Sequence, residues 1–128
     1  MAGVTYDTGA LIAGERNDRR MWALHMGFIA EEVVPVVPAP VVAEAWRGGA
    51  RQASLSRLLA GCHIEPMTAE QARSVGVLVG TAGHEDIVDV TVVEGALRRG
   101  DGVILTSNQS HIHKIVSSTG RSVRVEAV

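Results

Sequence analysis

Four acids and one polar turn stand where their neighbours give them little reason to be. Asp7 lies in "VTYDTGALIA", between a strand-like run (Val4, Thr5, Tyr6) and the apolar run Ala10, Leu11, Ile12, Ala13. Glu44 lies in "PVVAEAWRGG", surrounded by Val41, Val42, Ala43, Ala45 and Trp46. An ionised carboxylate on so apolar a helix is costly without a cation or a hydrogen-bond network. Asp86 and Asp89, in "HEDIVDVTVVEGA", are spaced to share one face of a helix. Thr106, Ser107 and Asn108, in "ILTSNQ", follow another apolar run with three small oxygen-bearing side chains. Each has a plain structural role open to it. Asp7 can cap the helix after it, and Glu44 can pair with Arg47 or Arg51. Asp86 can be a helix cap with Asp89 in the first turn, and Ser107 or Asn108 can be another cap.

Together the same residues have a second role. Carboxylates crowded into one place repel, so one is protonated or a cation fills the space between them. Hard oxygen ligands select a hard cation, Mg²⁺ or Mn²⁺. That is the arrangement of metal-dependent nucleases, in which the ion polarises a phosphate and acidifies an attacking water. A further carboxylate can orient that water as a general base. Asp7, Glu44 and Asp89 are the candidate catalytic and metal-ligating set. Asp86, Thr106, Ser107 and Asn108 are secondary candidates, with Thr106 or Ser107 placed to hold a metal-bound water or a phosphate.

The elements that must position these residues alternate between strand and helix. Strands are expected at 3–6, 33–37, 63–67, in "GVILT" and in the alternating "RSVRVEAV". Pro35 marks an edge or a bend in the second of these. Helices are expected at 8–14, 16–30, 41–48, 54–59, 68–79, 86–99 and 108–116. Pro40 suits the first turn of the third helix, and Ser54 can cap the fourth. Thr68 and Gln71 form a capping-box pair, and Gly100 closes the long helix before "GVILT". Crossovers this short predict an α/β fold with a mainly parallel sheet of four to five strands and helices on both faces. Such sheets bury both faces, which suits the unbroken run Val103, Ile104, Leu105. Their working sites lie outside the carboxyl ends of the strands, where Asp7 and Asn108 would stand.

Composition narrows the alternatives. The 128 residues fit one domain spanning 1–128. They are 46% hydrophobic but only 3% aromatic, so the core must be aliphatic and base stacking on exposed rings is disfavoured. With a formal net charge of −2, any grip on nucleic acid must come from local arginines rather than overall charge. Those arginines cluster at 16, 19 and 20, at 47 and 51, and at 98 and 99, all expected on the solvated surface. The single cysteine, Cys62, excludes an internal disulfide and reads as a small buried apolar residue, in keeping with a cytoplasmic protein. No secretory signal or membrane-spanning run is visible. His111 and His113 project differently from a helix and are expected at the surface, as is His84 in its loop. Neither "GxxxxGK" nor "GxSxG" occurs, which argues against a phosphate loop and a serine hydrolase. A phospho-acceptor receiver would need an acid after the third strand and a nearby lysine. "HIEPM" supplies no aspartate, and Lys114 is the only lysine.

"VTYDTGALIA", "VVAEAWRGG", and "DIVDVTVVEGA" followed by "GVILTSN" together resemble the PIN domain, specifically the VapC-type toxin ribonucleases of bacterial toxin–antitoxin pairs. The resemblance covers essentially the whole chain. It implies a three-layer α/β/α sandwich and a Mg²⁺- or Mn²⁺-dependent endoribonuclease, with Asp7, Glu44 and Asp89 as its acids. It further implies an RNA substrate, a homodimer and a cognate antitoxin. The family's "TxD" or "TSD" after the fourth strand is "TSN" here, so Asn108 stands where an aspartate is expected, and Asp86 is placed to supply the missing charge. A PIN-like module that binds RNA or an antitoxin without efficient cleavage is the alternative this departure raises.

Overall fold

The computed structural model describes residues 2–83 and 86–128. Its elements run in chain order β1 (Val4–Tyr6), α1 (Thr8–Glu15), α2 (Arg19–Ala30), β2 (Val36–Pro38), α3 (Ala39–Ala45), a 3₁₀ turn (Ala50–Gln52), α4 (Ala53–Ala60), β3 (His63–Glu65), α5 (Ala69–Ala82), α6 (Ile87–Arg99), β4 (Val103–Thr106), α7 (Gln109–Ser118) and β5 (Arg124–Ala127). The five strands form one all-parallel sheet in the order β3-β2-β1-β4-β5. Thr5 pairs with Val36 on one side and Ile104 on the other, so β1 and β4 lie at the centre. Parallel crossovers are right-handed. The chain steps from β1 out to β3, then returns across the sheet to β4 and β5. Helices α1 to α4 therefore cover one face and α5 to α7 the other, giving an α/β/α sandwich. The reversal falls between β1 and β4, which makes their carboxyl ends the switch point of the sheet.

The core is aliphatic. Val4, Tyr6, Val37, Ile104 and Leu105 are buried between helices, and α6 turns Val90, Val92, Val93, Ala96 and Leu97 into the same interior. One polar pair lies within it, with Tyr6 Oη 2.8 Å from His25 Nδ1. Burial pushes Tyr6 up and His25 down, so the pair stays neutral. Cys62 is half-buried, with Sγ 3.3 Å from the Leu58 carbonyl and its pKa pushed up to about 12 by burial, which fits an inert structural thiol.

Several expected boundaries move for identifiable reasons. Strand β2 begins at Val36, because Pro35 precedes it and lends only its carbonyl to His63 N. It is an interior strand rather than an edge. Strand β3 stops at Glu65 because Pro66 cannot continue the ladder. Helix α3 starts early, with Pro40 inside its first turn, and ends at Ala45 rather than 48. Ser54 caps nothing: it lies inside α4, buried, with Oγ donating to Asn17 Oδ1 at 2.8 Å. Thr68 caps α5 as expected, but Gln71 turns its side chain towards Glu65 and Glu94 instead of completing the box. Among the described residues, no helix is long and apolar enough to cross a membrane.

Candidate functional site

The site is built outward from the end of β1. Asp7 follows the strand directly, its backbone N–H donating to Leu105 O at 2.9 Å across the switch point. Its extended backbone makes it the cap of α1, and Oδ1 accepts from Thr8 N at 2.7 Å. The cap role is therefore real, but it uses only one carboxylate oxygen. The other, Oδ2, accepts from Thr106 Oγ1 at 2.7 Å. Thr106 in turn accepts from Asn108 N at 3.0 Å. The side chain of Thr106 is fully buried and occupied with Asp7, so it is not available to a water or a phosphate, contrary to expectation. Thr106 positions the acid. Ser107 is exposed, and Gly9 lies against it: a Cβ at Gly9 would fall 2.1 Å from Ser107 Oγ and 2.6 Å from its backbone N. Only glycine lets α1 approach the turn after β4 this closely.

Thr8 carries the geometry from Asp7 to α3. Its Oγ1 donates to Glu44 Oε1 at 2.6 Å. Glu44 is exposed, so the cost of burying its charge does not arise. Neither Arg47 nor Arg51 pairs with it among the described residues; the Arg47 guanidinium donates to the carbonyls of Ala43 and Trp46 instead. Glu44, Arg16, Arg47 and Arg51 line a groove of about 560 Å³ beside the acids.

The remaining acids come from the first turn of α6. Asp86 caps the helix, with Oδ1 accepting from Val88 N and Asp89 N, both at 3.1 Å. Asp89 lies 3.0 Å from His111 Nε2 on α7. Donor atoms of Asp86, Asp89 and His111 all fall within 4.8 Å of one another. His111 keeps about a third of its side chain exposed, as expected of a surface histidine, but it also faces Asp89. Its signal in the sequence was its spacing of three from Asn108, which puts both on one side of α7. Asn108 occupies the cap position of α7 without a side-chain cap bond. His113 and Lys114 are exposed on the same helix. His84 lies outside the described residues.

The electrostatics tie these pieces together. Burial raises the Asp7 pKa most, opposed by its bonds to Thr106 and Thr8, and Glu44 and Asp86 raise it further. Burial also leads for Asp89, and repulsion from Asp7, Asp86 and Glu44 brings it to about 7. Asp7, Glu44, Asp86 and Asp89 thus share one electrostatic neighbourhood, although they come from three separate segments. Among the described residues, no lysine or arginine pairs with any of them. Hard carboxylate donors, crowded and without a lysine or arginine partner among the described residues, fit a divalent metal ion.

No family model matches the sequence, and no curated protein matches it. A solved structure does match: a chain of VapBC2 from Rickettsia felis, bound to a DNA fragment from their promoter, superposes with a TM-score of 0.72 over 98% of each chain at 14% identity. That likeness shows the fold. The chain is a PIN-like three-layer α/β/α sandwich, as the motif resemblance and the strand–helix alternation both led one to expect.

Proposed function

We propose that this chain is a Mg²⁺- or Mn²⁺-dependent endoribonuclease, the toxin of a toxin–antitoxin pair acting in the cytoplasm. The observation that carries the reading is the convergence of acids at the sheet's switch point with no lysine or arginine paired to them among the described residues. Asp7, Glu44 and Asp89 would hold the metal ion. When bound, such an ion polarises the scissile phosphate and lowers the pKa of a water. The chain's own residues do the rest. Thr106 and Thr8 fix the Asp7 carboxylate, so little motion is needed on binding. Thr8 also orients Glu44, whose exposed carboxylate can accept a proton from the attacking water. Arg16, Arg47 and Arg51 offer guanidinium groups to the phosphates on either side. This local grip suits a chain whose net charge is −2.

Purified protein is expected to cleave RNA with Mn²⁺ or Mg²⁺ and to stop on addition of EDTA. Removing a group that merely supports a metal ligand costs about 10–100-fold in affinity or activity. Asp7→Asn is therefore expected to cost more than about a hundred-fold. A variant that cuts as well as wild type would refute the assignment. The likeness to a chain of a VapBC2 complex supports an antitoxin partner, and the family resemblance adds a homodimer. Expression alone should arrest growth, and co-expression with the neighbouring gene should relieve it.

Asn108 favours a second reading, in which the fold binds RNA or an antitoxin but cleaves weakly. The asparagine keeps an oxygen donor and lacks the charge. Asn108→Asp separates the two. A large gain in cleavage marks the native site as weakened, whereas an unchanged rate means that the other acids suffice.

A further inference from the structure

The turn after β4 contributes an uncharged Asn108, yet one helical turn further on α7 supplies a different donor. We propose that His111 is itself a metal ligand, forming with Asp86 and Asp89 a mixed nitrogen–oxygen position that takes Mn²⁺ in preference to Mg²⁺. This deepens the reading of the rim as a divalent-metal site.

Three observations converge on it. First, the donor atoms of Asp86, Asp89 and His111 lie within 4.8 Å of one another. Two donors on one octahedral ion stand roughly 3–4 Å apart, given metal–oxygen distances of about 2.1 Å, so modest side-chain rotation closes the set. Second, the three are held from opposite sides. Asp86 and Asp89 are fixed at the start of α6, with Asp86 bonded to two backbone N–H groups. His111 is set by α7, whose Ile112, Ile115 and Val116 are packed in the core. Third, the cluster stays open to solvent, since the His111 side chain is 33% exposed and that of Asp89 15%. A metal ion can reach it without unfolding either helix.

The choice between the two ions follows from the donor type. Mg²⁺ demands a near-ideal octahedron and gives up water reluctantly. Imidazole suits first-row transition metals, the series to which Mn²⁺ and not Mg²⁺ belongs. Replacing an acid by a histidine therefore shifts a magnesium-type site towards manganese. Asp86 makes up part of the charge that Asn108 does not provide.

The test is pulsed EPR on the Mn²⁺-loaded full chain, paired with calorimetric titration of Mn²⁺ and of Mg²⁺. Wild type is expected to show ¹⁴N coupling to the bound Mn²⁺. His111→Gln should abolish the coupling and weaken Mn²⁺ binding at least about ten-fold while affecting Mg²⁺ less. His111→Asp should also lose the coupling but gain Mg²⁺ affinity, which keeps the proposal testable if the glutamine variant folds poorly. His113→Gln should retain the coupling. Mn²⁺ bound to wild type without nitrogen coupling, and lost in Asp7→Asn, would overturn the role of His111 and leave the proposed function standing. Failure of wild type to bind Mn²⁺ at all would overturn both.

Discussion

The two ends of helix α6 make opposite use of charge. Its last turn carries Arg98 and Arg99 beside Glu65, Glu94 and Asp101. Arg99 Nη1 lies 2.8 Å from Glu65 Oε1 and Nη2 lies 3.2 Å from Asp101 Oδ2, while Thr5 Oγ1 donates to Asp101 Oδ2 at 2.6 Å. Burial alone would raise the Glu65 pKa, but Arg98 and Arg99 more than offset it and hold the carboxyl below its usual range. The first turn, with Asp86 and Asp89, has no arginine among the described residues, and there the Asp89 pKa climbs to about 7. The helix dipole favours both arrangements, acids at the start and bases at the end. It cannot account for the difference in pKa. At one end every acid has an arginine from the chain itself; at the other, among the described residues, Asp89 faces only the imidazole of His111.

The contrast can be broken by mutation, and the two ends should answer with opposite signs. Arg99→Met leaves Asp101 without its cation and Glu65 with Arg98 alone. Breaking a fully buried pair costs 3–5 kcal/mol, and the slight exposure here, 17% for Arg99, reduces the expectation to about 2–3 kcal/mol in a denaturant melt. Asp89→Asn at the other end should instead raise the melting temperature of metal-free protein at pH 8 by a few degrees, because it removes an uncompensated charge. A drop in melting temperature there would mean that Asp89 is already neutralised by the protein.

Acidity sharpens the same point. The folded pKa of Asp89, about 7, exceeds the ordinary value of 3.8, so the folded state holds its proton more tightly than the unfolded chain does. Its contribution to stability is fully present below pH 3.8 and is lost as the pH rises through about 7. Metal-free protein should therefore melt lower at pH 8 than at pH 5.5, and Mn²⁺ at pH 8 should recover the loss. Asp89→Asn should flatten the profile. The smallest effect is expected at Thr8→Val, which removes the hydroxyl linking Asp7 to Glu44. Because Glu44 is exposed, stability should change by under about 1 kcal/mol, while the cleavage rate falls.

How far these features could be read from the chain alone depended on sequence distance. Asp7 stood out because a strand gives way to a helix within a few residues, and the same seam marked Thr106 to Asn108. Asp86 as a cap followed from local pattern, as did Gly100, which ends α6 with a left-handed backbone at φ 71°. Glu44 stood out by its apolar neighbours, but its link to Thr8 spans 36 residues and nothing local announces it. The contact of His111 was missed for the same reason: its partner Asp89 lies on another helix. Arg99 was expected in solvent with its neighbour, yet it is mostly buried in the ion network. Long-range pairing decided all three, and only the helical spacing of His111 from Asn108 hinted at it. The shifts in β2 and β3 have a simpler origin in Pro35 and Pro66, whose missing N–H groups set the strand limits.

The bond from Thr106 to Asp7 closes a loop of 99 residues. During synthesis the first half of this pair leaves the ribosome long before the second, and β1 lacks its central neighbour β4 until then. A nascent chain interrupted between α3 and β4 carries Asp7 and Glu44 but has only Thr8 to hold the first of them. The acidic rim is thus complete only once β4 has joined the sheet beside β1.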